Sequence, residues 1–283
     1  MAPARKAADT SWAASFGVGA LAGALSKTAV APLDRLRLVQ QTTAAPTQGN
    51  AAGARALVHS EGAAGLWRGN GLAVSRATMT KGILLASQDA LSRELGSDAA
   101  AGSIAGLLAH GPTYPLDVLR TRVAASVGKA PGDLLPLAAG IVRREGVLAL
   151  YRGAGATAGG AIVFEGSRFG IFGRLRERVD ASGVLPAWLV PALCGTVASL
   201  TAGLLLYPND TIRRRLQYGR REGGALEEGY VATARTLVRE GGVARLFRGL
   251  PLYLAKAAPA AAVQFGAFHY LKRLLPPSER RRD

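Results

Sequence analysis

Cys194 is the single cysteine in 283 residues, so the chain can form no intrachain disulfide and no cysteine-ligated metal site. The three histidines, His59, His110 and His269, stand far apart without ligand spacing, and no metal motif is present. No nucleophile has a matched base and no P-loop occurs, which argues against an enzyme and gives no cofactor to expect. Aromatic residues are scarce at 6% and do not interleave with basic ones, so a nucleic-acid binder is not favoured. Acid is scarce too: 19 Asp and Glu face 35 Lys and Arg, a net charge of +16. That excess calls for an anionic partner, either a small solute or a lipid surface.

What the chain does have is a pattern that recurs. Pro-x-Asp-x-x-Arg occurs at Pro32, Asp34, Arg37, again at Pro115, Asp117, Arg120, and again at Pro208, Asp210, Arg213. Each copy ends an apolar run, namely Trp12 to Ala31, Ala99 to Tyr114 and Leu189 to Tyr207. A second motif follows each one: Glu61-Gly62 to Trp67-Arg68-Gly69, Glu145-Gly146 to Tyr151-Arg152-Gly153, and Glu240-Gly241 to Phe247-Arg248-Gly249. The prolines are 83 and 93 residues apart. Two composite motifs recurring in step are the mark of internal triplication.

Each repeat predicts a long apolar helix, a proline, a basic extension, a polar loop, a short amphipathic helix and a second apolar helix. Small residues at Gly19 and Gly23, Gly102 and Gly106, and Gly195 and Ser199 have the spacing that lets helix backbones approach closely in a membrane. Six segments of roughly 20 residues can each cross a hydrocarbon core of about 30 Å. The expected fold is an all-α membrane protein, six transmembrane helices in three pseudosymmetric repeats with short intervening helices. Its divisions are a tail at 1–10, repeats at 11–95, 96–182 and 183–275, and a basic tail at 276–283. That tail, and the loop at Arg220-Arg221, carry solvated or lipid-facing charge.

Register within the repeats locates a site. Nine residues after Trp67, Tyr151 and Phe247 stand Arg76, Gly160 and Lys256, which repeat symmetry puts at one depth. Lys27 can join them. An ionisable residue inside a membrane is costly and marks function by default. Lys27, Arg76 and Lys256 suit a polyanion such as nucleotide phosphates. Gly160 and Ala161 leave room for a flat base to lie against the helix, and Ile162 offers apolar contact.

These motifs resemble the mitochondrial carrier family over about Ser11 to Lys272. The family pattern is Pro-x-acid-x-x-base-x-base, a gap, then acid-Gly-x4-aromatic-base-Gly, three times. One departure is Val39, which stands where Arg122 and Arg215 fill the last basic position. The resemblance implies a monomeric six-helix bundle in the mitochondrial inner membrane with a central cavity and termini on the cytosolic side. It implies a matrix gate of three ion pairs: Asp34 with Arg120, Asp117 with Arg213, and Asp210 with Arg37. Gln41 and Gln217 resemble the family's glutamine braces beneath that ring. It implies a sparse cytosolic gate of Asp89, Arg176 and Lys272. Glycines at helix starts, Gly62, Gly69, Gly146, Gly153, Gly241 and Gly249, resemble the family's sites for anionic lipid such as cardiolipin.

Ser26 to Pro32, Leu66 to Asn70, Tyr114 to Ala125 and Asp210 to Arg215 look most like the ADP/ATP carriers. The implied activity is antiport of adenine nucleotides by alternating access. Departures leave alternatives open. Glu165 stands where those carriers place an arginine, and could hold a cation, a proton or a ribose hydroxyl. Leu250 to Pro259 looks closer to coenzyme A or ATP-Mg/phosphate carriers. A proton-leak or non-transporting protein on the same fold is a further alternative.

Overall fold

A computed structural model describes residues 2–43, 49–96, 98–128, 134–182, 186, 190–219 and 229–274, with side chains from Phe16 onward except at 89, 98–100, 102–103, 107 and 192. The loop arginines Arg220 and Arg221 and the basic tail lie outside these residues. The helices are α1 (Ala2–Thr42), α2 (Gly49–Glu61), α3 (Asn70–Leu95), α4 (Asp98–Ala125), α5 (Leu134–Glu145), α6 (Ala154–Ser182), α7 (Val190–Leu205), α8 (Tyr207–Tyr218), α9 (Tyr230–Gly241), α10 (Leu250–Ala255) and α11 (Ala257–Leu274). Short 3-10 turns at Ala63–Trp67, Val147–Tyr151 and Val243–Phe247 precede the second long helix of each repeat. Among the described residues there is no strand.

Proline acts differently in each copy. α1 continues through Pro32, and α4 continues through Pro112 and Pro115. In the third repeat the first helix breaks at Leu206, and Pro208 lies in the opening turn of α8, where its missing N–H costs least. The second helix of that repeat breaks as well, at Lys256 between α10 and α11. Pro259 explains it, because proline cannot donate to the carbonyl four residues back and its ring crowds that carbonyl. Phe16–Thr42 and Val147–Ser182 are the two described stretches long and apolar enough to cross a membrane by composition alone. α3 is long enough but carries Arg76, Lys81, Asp89, Arg93 and Glu94.

The chain divides into two compact units, residues 1–37, 47–132 and 251–283 in one, and 38–46 and 133–250 in the other. In the first unit α3 packs along α4, with Thr80 donating to Thr113 at 3.0 Å. In the second, α6 packs along α7. The close-packed stripes run one residue away from the glycines singled out above. Val18, Ala22, Ser26 and Val30 are buried on α1, Ala101, Ala105, Ala109, Thr113 and Asp117 on α4, and Cys194, Ala198 and Ala202 on α7. A Cβ added at Gly19, Gly23 or Gly106 would meet nothing within 4 Å. Alanine therefore does the close packing. In a chain this rich in small residues, an i, i+4 spacing alone does not say which of two neighbouring stripes faces the partner.

A charged clasp is built twice. In the first unit Glu61 accepts from Arg35 at 2.9 Å and from Arg68 at 2.8 Å. Arg35 also donates to the carbonyls of Ala124 (3.2 Å), Ser126 (3.0 Å) and Gly65, and Arg68 to those of Ser126 (3.3 Å) and Gly128 (3.0 Å). Apart from Gly65, those carbonyls lie at or just past the end of α4, where a helix leaves acceptors unmatched and favours positive charge. In the second unit Glu240 pairs with Arg215 at 2.9 Å and Arg245 at 3.7 Å. Arg215 donates to the Thr42 carbonyl, and Arg245 to those of Gln40 (3.0 Å), Gln41 (3.4 Å) and Thr43 (2.7 Å), closing the end of α1. Burial, with the charge of Arg248 beside it, brings the Arg245 guanidinium down to about 10.

The first clasp resolves the Val39 departure. Repeat 1 lacks the basic residue that repeat 3 supplies as Arg215, and Arg35 reaches Glu61 instead. Arg35 and Val39 are four residues apart and share one helix face. Arg35 is 2% exposed, and removing it leaves Glu61 with Arg68 alone and takes a charged donor from the Ala124 and Ser126 carbonyls, a loss of about 1–3 kcal/mol. Arg35→Leu is expected to lower the unfolding temperature of the purified protein sharply, and adding Val39→Arg to restore part of it. Burial alone would raise the Glu61 carboxyl, but hydrogen bonds from Arg35 and the Gly128 N–H, with the Arg35 and Arg68 charges, hold it below its ordinary 4.5. A carboxyl lowered by folding contributes stability that is complete above its ordinary value and is lost as pH falls through the folded value. Glu61→Gln is therefore expected to flatten the acid side of a stability–pH curve below about pH 4.5.

Candidate anion site and gate

The first unit gathers the charges that the repeat singled out. Asp34 on α1 accepts from Lys256 at 2.5 Å, and its other oxygen faces Arg120 at 3.7 Å. Arg76 on α3 pairs with Asp117 on α4 at 3.4 Å. Lys27 lies within electrostatic reach of Arg120, Asp34, Lys256 and Arg76. Its neighbours in sequence are pinned on two sides. Ser26 donates to the Ala260 carbonyl of α11 at 2.7 Å. The Thr28 carbonyl accepts from Trp67 at 2.8 Å, and the Thr28 hydroxyl from Asn70 at 2.9 Å. The break at Pro259 puts Lys256 on a turn, where its ammonium reaches Asp34.

Tyr253 was not singled out by its sequence position. Its ring lies under the Arg37 guanidinium at 4.7 Å and beside the Lys256 ammonium at 5.6 Å. One aromatic ring thus meets both Arg37 and Lys256. The unit sets Lys27, Arg37, Arg76, Arg120 and Lys256 against Asp34 and Asp117, an excess of cations that an anion can satisfy.

In this arrangement Lys256 and Arg76, the cations of the nine-residue register, are engaged by acids of the Pro-x-Asp-x-x-Arg motifs. Lys256 belongs to repeat 3 and its acid Asp34 to repeat 1; Arg76 belongs to repeat 1 and its acid Asp117 to repeat 2. Of the three pairings expected for the gate, Asp34 with Arg120 falls within one unit and forms. In the second unit Asp210 meets Arg214 at 3.6 Å and accepts from Gln41 at 3.3 Å. Gln41 also donates to Thr211 at 3.2 Å. Gln217 is fully buried and accepts from Arg214 at 3.1 Å. Arg213 lies on α8.

The third register position differs from expectation. Gly160 was expected to leave an open surface on α6. A Cβ there would lie 2.3 Å from Asn209 Nδ2, so the Asn209 amide already occupies that space. Asn209 donates to the Ala156 carbonyl at 3.1 Å and accepts from the Tyr230 hydroxyl at 3.0 Å. Ala161 and Ile162 are exposed. A signal for Asn209 was present: the middle residue is Leu33, Leu116 and then Asn209, the one polar choice of the three.

Other expected sites sort as follows. Glu165 is bound by Arg168 on the same helix at 2.6 Å, and that guanidinium covers Phe169. Arg176 pairs with Asp180 at 3.3 Å. Lys272 lies near the end of α11, and the Asp89 side chain is outside the described residues. Gly62, Gly69, Gly146, Gly153 and Gly249 all have φ between 76° and 84°, which only glycine adopts readily. Gly241 does not: it ends α9, and Gly242 at φ 67° holds the turn. Repeat 3 has one extra residue there, and Gly242 is five residues before Phe247, as Gly62 is before Trp67.

A triplicated helix pair with a Pro-x-Asp-x-x-Arg motif in each copy and cations placed inside long helices is the build of a membrane carrier for an anion. The family model described as mitochondrial carrier protein matches residues 8–98, 92–181 and 186–279, and the chain belongs to the mitochondrial carrier family, whose members are multi-pass transporters of the inner membrane rather than enzymes. It is 32% identical over 279 residues to mitochondrial substrate carrier family protein P of Dictyostelium discoideum, covering 92% of this chain and 93% of that one. It is 30% identical over 276 residues to the human mitochondrial adenyl nucleotide antiporter SLC25A25 and, equally, to the calcium-binding mitochondrial carrier protein SCaMC-2 of Bos taurus. Those two matches cover 92% of this chain and 59% of each relative, so the chain spans about three fifths of their length.

Asp117 is fully buried, so truncating its partner Arg76 costs stability as well as binding. Arg76→Ala is expected to lower the unfolding temperature. The double variant Arg76→Ala with Asp117→Asn should recover most of that loss in a thermal melt, while anion uptake stays abolished.

Proposed function

We propose that this chain is an inner-membrane antiporter that exchanges adenine nucleotides by alternating access. The observation that carries the reading is the engagement of Lys256 by Asp34 and of Arg76 by Asp117. A polyphosphate competes for both cations. Guanidinium and ammonium groups bind phosphate oxygens strongly through charge-assisted hydrogen bonds. When the substrate takes them, the two carboxylates lose those partners, and the gate that includes Asp34 and Arg120 is weakened. Without substrate the same cations return to the acids. Opening then depends on a bound anion, which gives exchange rather than one-way leak. The name of the SLC25A25 relatives, adenyl nucleotide antiporter, supports the substrate class.

The sparse cytosolic gate of Asp89, Arg176 and Lys272 is part of this proposal, as are the full matrix ring and a monomeric carrier. So is an anionic lipid such as cardiolipin at the turns of Gly62, Gly69, Gly146, Gly153 and Gly249. ATP-Mg exchanged for phosphate is a second reading, favoured by the resemblance of Leu250 to Pro259. The Glu165–Arg168 pair weighs against a proton-leak protein, since it gives that carboxylate a fixed cation.

Purified protein in liposomes loaded with ADP is expected to take up labelled ADP or ATP, and empty liposomes to take up little. Uptake driven by internal phosphate but not by internal ADP would favour the second reading. No adenine-nucleotide uptake under either loading would defeat both.

A further inference from the structure

Within the first compact unit, α1 meets the last two helices in an ordered series of contacts. Ser26 donates to the Ala260 carbonyl, Asp34 holds Lys256, and Arg37 lies over Tyr253. Moving forward along α1 is moving backward along α11 and α10, so the segments run antiparallel. The last two contacts are matched rungs. Asp34 and Arg37 are three residues apart, and so are Lys256 and Tyr253, a spacing that keeps two side chains on one helix face. The Lys256 N–H still donates to the Leu252 carbonyl at 3.1 Å, so the helical turn extends to it. We propose that Tyr253 is a positioning residue: it holds the Arg37 guanidinium beside the Lys256 ammonium, so that the pair selects an anion with two linked phosphate groups over one with a single phosphate. The inference rests on the polyphosphate part of the function proposed above.

This ring lies outside the repeated plan. Six residues after Trp67 and Tyr151 stand Ala73 and Thr157, and six after Phe247 stands Tyr253, the one aromatic choice of the three. Its chemistry differs from that of an acid at the same place. Asp34 already has Lys256 and Arg120 against it and Arg37 within electrostatic reach. A second carboxylate would satisfy Arg37 by neutralising charge. An aromatic face attracts the guanidinium through its quadrupole and brings no negative charge, so the positive excess around Asp34 is kept for an anion.

The ring also fixes geometry. The guanidinium carbon is 4.7 Å and the ammonium nitrogen 5.6 Å from the same ring centre. Neighbouring phosphate groups of a diphosphate can therefore each take a charge-assisted contact, one from a planar fork and one from a point charge. A single phosphate gains from one cation and leaves the other. With no ring to hold it, the long arginine side chain must be ordered at the moment of binding, which costs affinity.

The test titrates purified protein with pyrophosphate and with orthophosphate by calorimetry. Tyr253→Leu and Tyr253→Met keep apolar bulk and remove the aromatic face, whereas Tyr253→Phe keeps the face and removes only the hydroxyl. The first two variants are expected to weaken pyrophosphate about 2- to 30-fold and to leave the response to orthophosphate as it is in the unaltered protein. Tyr253→Phe is expected to keep both responses. A loss shared equally by the two anions, no loss, or the same loss in Tyr253→Phe overturns the role of the ring. Unaltered protein that gives no response to pyrophosphate would instead overturn the polyphosphate reading on which the inference rests.

Discussion

Two buried or half-buried carboxylates organise the cations of the first unit. Asp34 holds Lys256 and Arg120, and Asp117 holds Arg76. Ion pairs in a dehydrated setting are worth little net, because desolvation offsets most of the Coulomb gain. Breaking one without replacement is costly. That asymmetry suits a gate: the pairs can be exchanged for a phosphate of equal charge, and they resist opening when no anion is present. Tyr253 adds to the arrangement by placing Arg37 and Lys256 on one ring.

Two clasps fix helix ends. Glu61 with Arg35 and Arg68 closes the end of α4, and Glu240 with Arg215 and Arg245 closes the end of α1. Both use one carboxylate to hold two guanidiniums against the unmatched carbonyls of a helix C-terminus. The plan tolerates substitution because it is set by a helix face rather than by one position. Arg35 serves where Val39 cannot, one turn along the same face.

Much of this could be read from the residues. The paired motifs at Pro32, Pro115 and Pro208 were sufficient for the triplication and for an all-helical carrier. Nine-residue counting from Trp67 and Phe247 leads to Arg76 and Lys256, which the fold brings to Asp117 and Asp34. The failures have local causes. Gly241, expected at a helix start, ends α9 instead, because one inserted residue moves the motif to Gly242. The glycine stripes were off by one position because alanines stand beside them at the same spacing. Asn209 and Tyr253 went unremarked because their roles depend on what faces them, Gly160 for one and Arg37 for the other. The break at Lys256 was encoded in Pro259, but a proline three residues downstream of a motif position is easily read as belonging to the next turn.

The claim that substrate and gate compete for the same cations is tested most directly by the dissociation constant of ADP for the double variant Asp34→Asn with Asp117→Asn. Both amides remove the competing charge while keeping the shape. The account predicts tighter ADP binding than in the unaltered protein, because Lys256 and Arg76 are no longer held. Equal or weaker binding would contradict it.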